Sequence, residues 1–120
     1  MTTIGAELAD IAAGRVAISL AIAPRLSQQH GFLHAGVVVT PLDSACGYAA
    51  LTLMPADMEV LPAEFKVNLL APASGDSLIA EGQVVRAGRT LTVCRGDAFS
   101  EGVERVHVAT MLATIIGRPA

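Results

Sequence analysis

Tryptophan is absent from this 120-residue chain, and three Phe and one Tyr are its whole aromatic content. So few rings cannot form the stacking platforms that hold single-stranded nucleic acids. The formal net charge of -3, from 8 basic and 11 acidic side chains, also lacks the broad basic face of a general nucleic-acid binder. Cysteine is scarce. Cys46 and Cys94 stand alone in apolar surroundings, without the CxxC or Cys/His spacing of a metal site. They are expected to be reduced, buried small hydrophobes, and no metal is expected. The N-terminal MTTIGAELAD has neither a basic region nor an apolar core, so no signal peptide is expected. The apolar stretch from Ala35 to Ala56 is broken by Asp43, Pro41 and Pro55, which argues against a membrane span. A cytoplasmic protein is the expectation.

What is abundant is aliphatic. Hydrophobic residues make up 52% of the chain, so Val, Leu, Ile and Ala must build the core. The length is that of one domain, residues 1–120, and a domain this size buries only about two-thirds of its unfolded surface. The apolar surplus therefore implies burial between subunits, in a homo-oligomer.

Along the chain, Ile4, Leu8 and Ile11 with Glu7 and Asp10 predict a short amphipathic helix ending near Gly14. Alternation of Val16, Ile18, Leu20 and Ile22 predicts a strand over residues 15–23. The stretch from Ala35 to Met54 is too long for a usual strand and is expected to be a buried helix. Ala45, Gly47, Ala49 and Ala50 would let a sheet or partner approach it closely. Four further strands are expected over 58–70, 77–87, 90–99 and 103–116. Their short connections imply antiparallel pairing of successive strands. The whole is an α+β layer architecture.

Polar groups concentrate where that helix begins. A carboxylate at Asp43 in an apolar run is costly unless it is hydrogen-bonded or lies in a cleft. Free amides near Ala35 and Gly36 would polarise a carbonyl oxygen, and a facing carboxylate would activate water or attack directly. The local pattern also has a plain reading. Thr40-Pro-Leu-Asp43 is a capping box, which would start the helix near Thr40 rather than near Ala35.

With Gly31-Phe-Leu-His34-Ala35-Gly36 and Asp43 nine residues after His34, the chain resembles the hotdog-fold acyl-CoA thioesterases of the phenylacetate-degradation (PaaI-like) type. Phe65 to Ala73, Gly75-Asp76 and Val85 to Thr90 resemble that family's later strands and turns, and the likeness runs over about residues 15–116. It implies an antiparallel sheet wrapped around one long helix and hydrolysis of acyl-CoA, with no cofactor beyond the CoA of the substrate. It further implies a homodimer that assembles into a homotetramer. Asp43 would be general base or nucleophile, the Ala35 amide the oxyanion donor, and His34 and Gln28 neighbours of the thioester. Gly36, Arg86, Gly88 and Arg89 would bind substrate, the two guanidinium groups facing the phosphates of CoA.

Two departures stand out. The family's His-Gly-Gly is His-Ala-Gly here, and Pro62 occupies a position where members often carry a Ser or Thr that holds the water. Thr52 or Ser44 would substitute for that hydroxyl, or the water is held in another way. These departures keep a rival reading open, in which the chain binds acyl-CoA or another apolar ligand without turnover. A second rival, hydration of an enoyl thioester by a His34/Asp43 pair, fits the spacing less well.

Overall fold

In the computed structural model, residues 4–23, 26 and 32–120 are described. Six strands, β1 (Glu7–Ala12), β2 (Arg15–Ala21), β3 (Met58–Leu69), β4 (Ser77–Ala87), β5 (Leu91–Glu101) and β6 (Val106–Pro119), form one antiparallel sheet in the order β1-β2-β4-β5-β6-β3. One helix, α1 (Ala35–Leu51), lies across its inner face. The sheet wraps α1 in the way the hotdog resemblance implies.

The seat of the helix is legible in the cross-strand register. Val16, Gly82, Gly96 and Met111 face one another across β2, β4, β5 and β6. A Cβ built on Gly82 would lie 2.4 Å from the carbonyl carbon of Ala45, and one on Gly96 would lie 3.0 Å from both Cys46 Sγ and Leu42 Cδ2. The two glycines therefore form a trough into which the helix backbone sinks. Ala45, Ala49 and Ala50 are its fully buried counterparts. Around this contact, Ile18, Leu20, Leu42, Leu78 and Ile115 complete the aliphatic core. Burial of this kind contributes about 25 cal/mol per Å² of apolar surface.

Two expectations fail. Residues 7–12 are a strand, not a helix, because Ala13-Gly14 closes a two-residue hairpin with Gly14 at φ 77°, a conformation that glycine adopts without strain. The β1 residues are exposed throughout, so the apparent helical period of Leu8 and Ile11 has no core to face. The second failure concerns β3. It does not pair with its successor β4 but with β6, at the far edge of the sheet. The connecting segment crosses the ends of the intervening strands, Leu70 N–H donating to Val108 O and Asp76 N–H to Glu101 O. Its seven residues are enough to carry the chain across the sheet, so a short connection here does not mean a hairpin.

No helix among the described residues is long and apolar enough to cross a membrane.

Candidate active site on the central helix

The helix begins at Ala35, which settles the two readings of Thr40-Pro-Leu-Asp43 in favour of the early start. Thr40 caps nothing. Its hydroxyl donates to Gly36 O, one turn back, at 2.8 Å. Pro41 lies inside the helix and is buried, so the carbonyl of Val37 loses its usual amide donor.

His34 is the N-cap, with extended backbone (φ -62°, ψ 145°) and no side-chain cap. The first turn carries no acid. Val37 and Val38 N–H turn back onto His34 O, whereas the amides of Ala35 and Gly36 find no acceptor among the described residues. The positive end of the helix thus presents two donors that are unspent among the described residues. Ala35 lines a cleft of about 390 Å³ with Phe32, His34, Val38, Leu69 and Val108, and Gly36 is not part of its lining.

Asp43 lies on a different stretch of the helix. It is half-buried, with no hydrogen bond or ion pair among the described residues, and removal from water pushes its carboxyl above the ordinary value of 3.8. It faces a smaller cleft of about 190 Å³ with Ser44, Gly47, Tyr48, Val60 and Pro62. Eight residues of helix separate Ala35 from Asp43, a rise of about 12 Å. One chain therefore cannot aim both the Ala35 amide and its own Asp43 at a single carbonyl group.

The other expected site residues divide. Gly36 sits in the first turn with open space where a Cβ would go. Gly88 and Arg89 line a third cleft with Met54 and Met58, beside the C-terminal end of α1, and Arg86 is exposed on the same β4–β5 hairpin. Arg95 and Arg105 do not join them, since these two face carboxylates on the outer sheet surface, Asp97 at 3.7 Å and Glu81 at 3.2 Å. Gln28 lies outside the described residues, as does Gly31. Of the replacement hydroxyls, Thr52 is committed elsewhere, accepting from Gly14 N–H at 2.7 Å and donating to Ala49 O. Cys46 and Cys94 are buried free thiols; burial chiefly pushes them up to about 12 and about 11, so neither is a nucleophile at neutral pH. Sequence reasoning missed Tyr48 in the Asp43 cleft. Its signal was its position, five residues after Asp43 on a helix of small residues.

Comparison with known proteins agrees with this fold. A family model described as the thioesterase superfamily matches residues 30–107, which include both clefts' helix residues. A thioesterase family protein of Silicibacter pomeroyi has 46% identity and a TM-score of 0.97, over 100% of this chain and 89% of that one. The Escherichia coli PaaI protein of the phenylacetic acid degradation operon, at 18% identity, shares the fold with a TM-score of 0.84 over 96% of this chain and 80% of its own. Over 91 residues the chain is 26% identical to the 1,4-dihydroxy-2-naphthoyl-CoA hydrolase of Listeria monocytogenes, covering 76% of this chain and 74% of that protein. The chain spans 61% of the length of a Saccharolobus solfataricus relative that is 30% identical over 87 residues. With the fold, the register and the helix all in accord, the chain belongs to the thioesterase superfamily and has its hotdog fold.

Proposed function

We propose that the protein hydrolyses an acyl-CoA thioester to a carboxylic acid and free CoA at a site centred on Asp43. The observation that carries this reading is the Asp43 carboxylate itself, half-buried and without a partner among the described residues, on the helix of a thioesterase fold. A structural carboxylate would be expected to have found a donor. In the reaction Asp43 takes a proton from water as the water oxygen bonds to the acyl carbon, or attacks that carbon itself to give an anhydride that water then opens. The oxyanion accepts from the Ala35 amide, with Gly36 beside it, and the C–S bond breaks to release CoA thiolate, which takes up the proton. His34 and Gln28 orient the thioester. Arg86, Gly88 and Arg89 receive the phosphates. A thioester carbonyl is already activated, so the proposed chemistry calls on no metal or cofactor.

The rise of about 12 Å between Ala35 and Asp43 is bridged in this reading by a second copy of the chain. Strand β3 is an edge strand twelve residues long, and its inner face carries Phe65 and Leu69, 41% and 56% exposed. The Ala35 cleft lies by its Leu69 end and the Asp43 cleft by its Val60–Pro62 end. Two β3 strands paired antiparallel across a two-fold axis bring the Ala35 cleft of one subunit beside the partner's Asp43 cleft. This dimer, doubled to a tetramer and working in the cytoplasm, is the assembly we propose.

The test uses two variants. Ala35→Pro deletes the oxyanion N–H at the first helical position, where proline is tolerated and the extended His34 backbone suits it. Asp43→Asn deletes the base. Each alone should lower thiol release from acyl-CoAs by about 100-fold or more. Subunits of the two variants, unfolded and refolded together at equal amounts, should regain about a quarter of wild-type activity, because half of the dimers are mixed and each has one whole site. Wild-type rates in Asp43→Asn would overturn the site. A second reading, binding without turnover, is favoured by Pro62, which lines the Asp43 cleft without a hydroxyl. Tight acyl-CoA binding with no thiol released would establish it instead.

A further inference from the structure

We infer that the acyl group of the substrate lies in the Ala35 cleft and is an unsubstituted hydrocarbon chain, with Ala73 and Val108 limiting its length. The inference rests on the thioesterase reading above and names the substrate class within it.

A thioester has two arms, the acyl group and CoA. Its carbonyl oxygen, held by the Ala35 amide, puts the branch point at the mouth of the Ala35 cleft. The CoA arm has its way out on the Asp43 side. Val60 lines the Asp43 cleft and Gly117 lines the Gly88–Arg89 cleft. These two residues are a register pair of β3 and β6, so the two clefts share one wall. That wall is thin and soft. A Cβ built on Gly117 would lie 2.7 Å from Met54 Sδ, so a flexible thioether covers the glycine. An arm that carries phosphates is drawn along this side toward the Arg89 guanidinium. The Ala35 cleft, at about 390 Å³ the larger, is left for the acyl group.

The depth of that cleft is hydrocarbon. His34, Ala35 and Leu69 are exposed at its rim, and Leu33, Val38, Ala73 and Val108 are buried at its floor. The floor's carbonyls are already taken: Leu33 N–H donates to Ala73 O at 2.9 Å, and Leu70 and Ala71 N–H both donate to Val108 O, at 2.8 and 3.3 Å. A hydroxyl or carboxylate at the far end of the acyl chain would lose its water against these groups. Volume sets the scale. An apolar cavity of about 150 Å³ takes one benzene ring, so this cleft takes an acyl group with more carbons than one ring. The expected optimum is decanoyl. Ala73 and Val108 are 3% and 1% exposed, and their side chains are the stop that a longer chain meets.

Steady-state thiol release by the full chain from acetyl-, hexanoyl-, decanoyl- and myristoyl-CoA tests the inference. The wild type should have its highest kcat/KM on decanoyl-CoA and be about 100-fold poorer on ω-hydroxydecanoyl-CoA. Ala73→Leu raises the floor. It should move the optimum to hexanoyl-CoA, with decanoyl-CoA at least about 10-fold below it. Val108→Ala lowers the floor, and it decides the matter where Ala73→Leu does not fold. It should raise myristoyl-CoA about 10-fold relative to decanoyl-CoA. Val60→Leu narrows the Asp43 cleft instead and should leave the ratios along the series unchanged. An optimum at acetyl-CoA or equal rates on the hydroxylated chain overturns the inference and leaves the thioesterase reading standing. So do floor variants that slow every chain length equally, and so does a length shift in Val60→Leu. A wild-type chain that releases no thiol from any acyl-CoA overturns both.

Discussion

Asp43 occupies a position that opposes its own ionisation. Burial raises its carboxyl above the ordinary 3.8, and no described donor offsets that cost. The unfolded chain therefore loses this proton at a lower pH than the folded one. Between the two values the folded state holds more protons, and stability falls as pH rises through that window. Asp43→Asn removes the effect. Thermal unfolding should show the variant more stable than wild type near neutrality, with the difference closing as pH falls below 3.8. A variant no more stable at pH 7 would mean that the carboxylate has a partner after all. Cys46 and Cys94, held as thiols, should resist iodoacetamide at pH 8 in the folded chain and react once urea opens it. The sequence singled out Asp43 through its distance from His34, and its half-buried place on the helix is what the structure adds. Its neighbour Tyr48 was missed, although the helical turn that brings residues 43 and 48 to one cleft was itself expected.

The pairing of helix and sheet depends on glycines rather than on large side chains. Gly82→Ala would drive a methyl group into the Ala45 carbonyl. The contact is backbone on backbone, so relief requires the helix to lift. We expect a loss of about 3 kcal/mol or more in denaturant unfolding. Gly36→Ala is the contrasting case. It meets nothing within 4 Å and sits in a helix, so it should be neutral or stabilising by about 0.5–1 kcal/mol. A stable Gly36→Ala chain with lowered thiol release would then report on the substrate site alone. The small residues of α1 did signal close approach, and the helix was placed correctly from Ala35. The β1 hairpin was misread because Ile4, Leu8 and Ile11 match a helical period, and the Ala13-Gly14 turn that overrides them weighs little in a short segment.

The proposed dimer turns on β3. Its outer edge is unpaired among the described residues, and such edges are covered in stable proteins. Phe65 lines neither the Ala35 nor the Asp43 cleft, yet it stands exposed at the middle of the strand's inner face. Phe65→Lys should yield monomers in light scattering after size exclusion, and thiol release should disappear with the dimer although Asp43 is untouched. Monomers that keep full activity would show that one chain suffices.

The sequence by itself determined the helix, five of the six strands and the candidate groups, because each depends on local period, turn chemistry or spacing along one element. The homo-oligomer was expected from a surplus of apolar residues. The order of the strands was decided only in the tertiary structure. Pairing β3 with β6 instead of β4 depends on where a seven-residue crossing can end, which no local pattern encodes. The separation of Ala35 from Asp43 belongs to the same class. Their spacing of eight reads as proximity along the chain, and the 1.5 Å rise of a helix turns it into a gap of about 12 Å that one subunit cannot close.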